Sequence, residues 1–378
     1  MSESFDVVVI GAGLIGAAAA CQLSEHYSVA LVEQESQAGY HSSGRSAAVL
    51  LPAYGGPLAR ALTAAGREFL ERPAPGFAAF PLTSARGAIF IANEQQLGLL
   101  DQWRPTDQGA VQVLSASQVV QHVPIVNSAP IAAAVWVPEV KDIDAAALLS
   151  GYLKTFRARG GRLLLSSKAQ AIARDAGQWR LSLASGEIRG TTLVNAGGAW
   201  ADEIVELAGG VRKGLVPTRR TMVMVDGPTN TDVRAWPLVA DVAESFYFKP
   251  DGGRLVVSPA DCSVVSPHDV QPDEWDIAVA IERLEAATSL QVRRVSHRWA
   301  GLRTFAPDEE PLIGFDPDLP DFIWAAGFGG FGVQAAHAAG RCCLSLLRGE
   351  SLPEHFVAAG VDLERLSPRR LVQSREAV

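Results

Sequence analysis

Unbroken apolar runs and alternating runs partition the chain before any motif is considered. Phe5–Ile10, interrupted only by Asp6, has the near-continuous apolar character of a parallel strand buried on both faces. Helix-forming alanines follow over Leu14–Leu23, and Val29–Val32 is a second apolar run closed by Glu33. This order predicts a strand–helix–strand unit at the start of the chain. Asp144 ahead of an alanine- and leucine-rich stretch predicts an N-capped helix to about Arg159, ended by Gly160-Gly161. Strands are predicted at Ala88–Ile91, Ala132–Val137 and Arg162–Leu165, with a short helix beginning at Ser115. Trp179–Ala184, Gly186 and Glu187–Arg189 predict a hairpin, and Thr192–Val194 a further strand stopped by Asn195-Ala196-Gly197-Gly198.

From Leu215 to Arg303 the period becomes two. Thr221–Val225, Ser245–Lys249, Arg254–Ser258 and Arg298–Leu302 alternate as strands, with one amphipathic helix from about Glu274 to Thr288. Phe322–Ala326 is a late apolar strand, followed by Gly327-Phe328-Gly329-Gly330-Phe331-Gly332 and a helix from Val333 to about Leu347. Nucleotide-binding patterns stand at the beginning, middle and end, with β-rich stretches between them. The expected fold class is α/β: a Rossmann-like dinucleotide-binding domain (residues 1–84, 145–215 and 305–368) with an inserted large mixed-sheet domain (85–144 and 216–304). Residues 369–378, basic and then polar, are expected to form a flexible tail.

Length and charge narrow the function. At 378 residues and 48% hydrophobic content, two domains are the natural expectation. A net charge of −8 speaks against nucleic-acid binding. No run approaches a membrane span, and the first apolar run reads as a strand, not as a signal peptide. Cys21, Cys262, Cys342 and Cys343 lack metal-ligand spacing, so no metal is expected and a reducing cytoplasm is the plain setting. Peripheral association with the inner membrane is the alternative.

Gly11-x-Gly13-x-x-Gly16 lies between the first strand and helix. Gly11 permits the tight turn, Gly13 lets backbone approach a pyrophosphate, and Gly16 lets helix and strand pack closely. Glu33 is placed to accept hydrogen bonds from a ribose and would repel a 2′-phosphate, favouring FAD or NAD over NADP. The segment His41-Ser42-Ser43-Gly44-Arg45-Ser46-Ala47-Ala48 then favours FAD. Its small hydroxyls around one arginine suit a second wrap of diphosphate and ribityl chain.

These residues, together with Gly39–Ala48, Val194–Trp200, Glu244–Pro250, Trp299–Arg303 and Leu366–Arg370, resemble the D-amino-acid oxidase superfamily of flavoproteins. Within it they are most similar to the bacterial D-arginine dehydrogenases. The resemblance implies oxidation of an amino acid's Cα–N bond, the imine hydrolysing to a 2-oxo acid and ammonia. It implies cofactor contacts by Gly11, Gly13, Gly16, Glu33, Gln34, His41, Ser42, Ser43, Arg45, Ser46, Ala47 and Ala48. Ala169, Ala196, Gly197, Trp200, Arg303, Gly329, Gly330, Phe331, Gly332, Val333 and Gln334 complete that set. No cysteine lies in Gly327–Gly332, so the FAD is expected to be non-covalent. The loop before the last long helix offers N–H groups and a positive dipole end to the anion that hydride transfer leaves on the flavin.

Four residues are the candidates for handling the amino acid. Arg303 is the expected carboxylate fork, Arg220 a second pocket arginine, Tyr247 a hydroxyl donor to the same group, and Tyr54 a lid residue beside Gly55-Gly56. No general base stands out, and a substrate amine that binds neutral needs none. The D-arginine dehydrogenases carry a histidine and a glutamate where this chain has Val49 and Ala88. With Ala88 there a cationic tail would be buried unpaired, so neutral, apolar D-amino acids are expected. The electron acceptor is O2 or a quinone- or dye-like molecule, the resemblance favouring a dehydrogenase. The alternatives are a secondary-amine oxidase of the glycine, sarcosine or proline-derivative type, a 2-hydroxy-acid dehydrogenase, and a non-catalytic flavin-binding subunit.

Overall fold

The computed structural model describes residues 3–103 and 111–373. Residues 374–378 of the expected tail lie outside them. Glu3–Ile10 runs parallel to Val29–Val32 on one side and to Gly186–Asn195 on the other, and its Val7, Val8 and Val9 are fully buried. Arg162–Leu164 adds beyond Val29–Val32. Gly186–Asn195 pairs along its first half with Gln178–Leu183, which pairs in turn with Ala171–Asp175. Its last residues pair with Phe322–Ala326, beside which lies Leu312–Phe315. The hairpin arm and the strand expected separately at 187–189 and 192–194 are therefore one element. The stop at Asn195 is physical: its buried amide donates to Ala201 O and accepts from Gly197 N–H.

The second sheet has the order Val295–Phe305, Val216–Val225, Arg254–Ser258, Tyr247–Asp251, Leu238–Asp241, Ala88–Ala92, Ala133–Val137, Gln112–Leu114. All its pairings are antiparallel except Leu238–Asp241 with Ala88–Ala92. The strand expected from Ser245 starts at Tyr247 instead. Asp241's carboxylate accepts from Ala243 N–H and Ser245 N–H, and Glu244 takes a positive φ, so those residues form a turn. Val49–Leu50, Lys141–Ile143 and Thr83–Ala85 form a small third sheet.

Asp144 caps its helix as the sequence predicts, accepting from Ala147 N–H, and the helix expected from Ser115 begins at Ala116, with Ser115 as its N-cap in a capping box with Gln118. The helix Pro57–Glu71 is a finding of the structure. Its Pro57 occupies the first turn, and Leu58, Ala61, Leu62, Ala65 and Leu70 pack one face into the core. Arg369–Gln373, expected to begin a frayed tail, is a short helix. Arg370 holds it, donating to both carboxylate oxygens of Asp308 and to Glu310 O.

His337, on the inner side of the helix Gly332–Arg348, stacks on Phe69 with ring centroids 3.8 Å apart. Its Nδ1 is buried without a partner among the described residues. Burial pulls its pKa down to about 4, and the nearby Arg341 and His355 add to the effect. The folded state thus stays unprotonated where the unfolded chain takes up a proton. Stability attributable to this residue is intact above pH 6.5 and falls as pH drops toward 4. His337→Phe keeps the stack and is expected to flatten that part of the profile, read as denaturation midpoints at pH 7 and pH 5. Equal slopes in parent and variant would refute the assignment.

Candidate active site

A continuous cleft runs along the carboxyl ends of the first sheet's strands and opens onto the second sheet. Glu33, Gln34, Ser167, Lys168 and Ala169 line one end. Gly11, Gly13, Ser42, Ser43 and Ala196 line the middle, and Arg303, Gly329, Gly330 and Gly332 the other end. The helix Leu14–Leu23 begins at the middle with no side-chain cap at Gly13; Leu14 N–H donates to Ser43 Oγ at 2.9 Å. The helix Gly332–Arg348 likewise starts in the cleft without a side-chain cap. Two positive helix ends in one elongated cleft suit a ligand with internal phosphates and an electron-rich ring.

Glu33 supports that fit. Its Oε2 accepts from Ala12 N–H at 2.8 Å and its Oε1 from Glu35 N–H at 3.0 Å. Burial nevertheless pushes its carboxyl above the usual range, outweighing these two donors. Ribose hydroxyls donating to it would favour its charged form. His41 bonds Glu35 through Nε2, packs against Trp200, and keeps a buried, unpartnered Nδ1 in the wall of the same cleft.

Arg303 comes from the long strand Val295–Phe305 and Arg220 from its neighbour Val216–Val225. Thr218 pairs with Arg303 and Arg220 with Gly301, so both arginines lie on one face of the sheet. Arg303 Nη1 donates to Tyr54 Oη at 3.2 Å. Arg220, 7% exposed, donates from Nη2 to Cys262 Sγ at 3.2 Å and leaves Nε unpartnered. Neither guanidinium has a carboxylate within 4 Å among the described residues. Asp261 is near Arg220, but its oxygens accept from Thr221 N–H and Oγ1–H. Tyr247 donates to Met222 Sδ at 3.2 Å, beside the same cleft. Gly330 closes the group: a Cβ there would stand 2.8 Å from Arg303 Cζ and 3.0 Å from Tyr54 Oη.

Beyond the arginines an inner chamber is walled by Val49, Leu51, Phe90, Leu238, Ala240 and Phe246. Val49 lies in this wall. Ala88 does not: it is fully buried between Leu238 and Val137, and Phe90, two residues along the same strand face, reaches the chamber instead. Among the described residues of this wall the one carboxylate is Glu244, which is exposed at the rim.

Arg45 is an internal clip: Nη2 donates to Asp269 at 2.5 Å, Nη1 to Val270 O and Ala300 O, and Nε to Tyr40 O. Four of its five N–H donors hold the flanking loop to Tyr40, to Asp269 and Val270, and to the second sheet at Ala300, and Arg45 still lines the cleft. Gln334 is buried with its amide bonded to both N–H and O of Leu51, so it braces the segment leading to Tyr54. Gln334, Ala48 and Phe331 line the inner chamber instead of the long cleft. Gly16 packs on Gly11 O, behind the cleft wall. Ser46, Ala47, Gly197, Trp200 and Val333 line the cleft. The sequence reading missed the apolar chamber wall, the Cys262 contact and the segment 259–273, whose Asp269 also accepts from Tyr40 Oη. The only advance signal was Asp261-Cys262, a polar turn directly after a β run.

This fold and cleft define a dinucleotide-binding oxidoreductase. A family model for FAD-dependent oxidoreductases matches residues 6–346, and the chain belongs to that family; FAD is its cofactor. Mitochondrial sarcosine dehydrogenase of Mus musculus is 24% identical over 278 residues, covering 68% of this chain and 30% of that protein. Hydrogen cyanide synthase subunit HcnC of Pseudomonas aeruginosa is 26% identical over 211 residues, covering 54% and 49%. The chain spans less than half the length of these relatives. Among solved structures, glycine oxidase from Geobacillus kaustophilus superposes with a TM-score of 0.83 at 20% identity, covering 97% of this chain and 98% of that one. L-proline dehydrogenase from P. horikoshii gives 0.83 at 19% identity and 99% coverage of both. These structures share the two-sheet α/β fold. No helix among the described residues is long and apolar enough to cross a membrane, and no cluster of potential metal ligands occurs among them.

Proposed function

We propose that the chain oxidises the Cα–N bond of an amino acid with a neutral, mainly apolar side chain, D-amino acids being the preferred class. The observation that carries this reading is the pair Arg303, half-buried, and Arg220, buried, two guanidiniums on one sheet face with no carboxylate partner among the described residues. Unpaired charge in such a place costs several kcal/mol, and a bound carboxylate removes that cost. Arg303 offers a planar fork, while Tyr54 and Tyr247 place hydroxyls beside it.

Bound FAD supplies the hydride acceptor. The chain's part is to hold the carboxylate, keep the reacting carbon against the ring end of the cleft, and exclude water with the apolar wall. The positive end of the helix Gly332–Arg348 favours negative charge at that end. A substrate amine bound neutral needs no protein base, which suits a chamber whose one carboxylate is exposed at the rim. The imine product hydrolyses to a 2-oxo acid and ammonia. None of the four cysteines lines the cleft, in keeping with non-covalent FAD. The electron acceptor proposed is a quinone-like carrier in preference to O2. Domains are proposed as one discontinuous cofactor-binding unit and one inserted substrate unit, in a cytoplasmic protein.

With Ala88 outside the chamber, the preference for neutral side chains rests on Phe90, Leu238, Ala240 and Phe246. A second reading, oxidation of a secondary or achiral amine, draws on the names of the relatives: sarcosine dehydrogenase, glycine oxidase, proline dehydrogenase. Anaerobic flavin bleaching by a panel of D- and L-amino acids, glycine, sarcosine, proline and 2-hydroxy acids decides between them. D-Leu, D-Met or D-Phe are expected to bleach fastest. Preference for sarcosine or proline selects the second reading, and preference for D-Arg defeats the apolar-chamber argument. Bleaching by a 2-hydroxy acid without ammonia release, or by nothing in the panel, would sink both.

A further inference from the structure

We propose that Cys262 is a modification site at the back of the carboxylate clamp, where oxidation or alkylation of its sulfur takes Arg220 away from the substrate. The proposal rests on the reading of Arg220 as part of that clamp.

Cys262 is the one exposed cysteine of the four; Cys21, Cys342 and Cys343 are buried. Burial also drives the Cys21 thiol up to about 11, so the buried sulfurs are poor nucleophiles. The position of the Cys262 sulfur is built by the preceding turn. Ala260 takes φ +55 and donates its N–H to Ser258 Oγ at 3.1 Å. Asp261 then pins the turn to the sheet through Thr221 N–H at 2.6 Å and Oγ1–H at 2.9 Å. That delivers Sγ to 3.2 Å from Arg220 Nη2 and 3.5 Å from Ala260 O. A second, independent observation points to an anion here: Arg220 is more than nine-tenths buried, lines the cleft, and keeps an Nε without a partner among the described residues.

With a hydroperoxide as co-reactant the chemistry balances. The sulfur attacks one peroxide oxygen, an S–O bond forms, and the O–O bond breaks. The sulfur loses two electrons, the departing oxygen gains them, and with the thiol proton it leaves as water when hydrogen peroxide is used. A second equivalent gives a sulfinate by the same exchange. Either product, once ionised, sets a negative oxygen against the guanidinium and competes for the donors a carboxylate would use. Alkylation by iodoacetate forms an S–C bond, releases iodide and places a tethered carboxylate at the same spot.

The test uses the full chain with FAD bound, treated with hydrogen peroxide or iodoacetate, beside Cys262→Ser treated identically. Peptide mass spectrometry is expected to find Cys262 modified first, and benzoate to slow its modification several-fold. The treated parent is expected to keep its flavin spectrum while KM for its amino acid rises roughly tenfold with kcat largely retained, as for loss of one charge-assisted contact. Treated Cys262→Ser is expected to match its own untreated sample. An unmodified Cys262, an unchanged KM after complete modification, or equal loss in the serine variant each overturns the proposal. If no amino acid reduces the flavin, the clamp reading has failed; benzoate protection of Cys262 then still decides whether the sulfur reports on an anion at Arg220.

Discussion

Arg303→Met is expected to purify yellow, with FAD bound, and to lose roughly a hundredfold to a thousandfold in kcat/KM for its amino acid. The size follows from two charge-assisted hydrogen bonds to one carboxylate, together on the order of 3–4 kcal/mol, with each 1.4 kcal/mol worth a factor of ten. The loss should fall mainly on KM where the carboxylate is held equally in ground and transition states. It falls on kcat as well where the fork also sets the angle of the reacting carbon. Arg303→Lys keeps the charge without the planar fork and is expected to recover only part of the activity. Fold stability separates a clamp from a structural arginine. Arg303 makes one side-chain bond, to Tyr54, so removing an otherwise unpaired enclosed charge should leave the melting temperature equal or raised. A variant that melts many degrees lower, or one reduced by the amino acid at the parent's efficiency, would place the anchor elsewhere.

The adjacent pair Arg219-Arg220 shows what the sequence makes legible and where it stops. Alternation along a strand says that the two side chains point to opposite faces, but not which face is the cleft. The structure gives Arg219 to Asp276 at 2.6 Å, under the helix Glu274–Ala287, and Arg220 to the cleft. Ala88 and Phe90 pose the same problem in depth: residues two apart share a face, and only the packed sheet reveals which reaches the chamber. Arg45 sits among hydroxyls, a composition that suits a phosphate. Besides Tyr40 O, its acceptors are Asp269, Val270 and Ala300, more than two hundred residues away, and no local pattern announces a partner at that distance. The helix Pro57–Glu71 was legible in principle from Pro57 and its apolar spacing, but Gly55-Gly56-Pro57 reads first as a loop. The strands Val49–Leu50 and Thr83–Ala85 are too short to carry a period. By contrast, the strand–turn–helix at Gly11, the stop at Asn195 and the caps at Ser115 and Asp144 are local chemistry, and local chemistry is what a sequence displays.

Gly11→Ala is expected to abolish stable flavin binding, and the reason lies in backbone that has no room to yield. Gly11 has φ +101, a region that costs a side chain about 1–2 kcal/mol by itself. Its missing Cβ would also stand 2.3 Å from Ala196 O and 2.8 Å from Ala196 C. Those atoms cannot swing aside as a flexible side chain would: Ala196 N–H donates to Ile10 O and Gly11 N–H to Val32 O, each within the parallel sheet. Relief must come from moving the turn that starts the helix Leu14–Leu23, which is the wall of the cleft's middle. Strain of about 3 kcal/mol placed on the bound conformation corresponds to a loss of roughly a hundredfold in FAD affinity. Gly177→Ala is the control: it has φ +83 in a hairpin turn, and nothing lies within 4 Å of its missing Cβ. It should cost only the conformational strain and retain its colour. FAD retained per chain after gel filtration, with the melting temperature of each variant, measures both effects. A yellow Gly11→Ala protein that holds FAD as tightly as Gly177→Ala would mean that this turn does not shape the cofactor cleft.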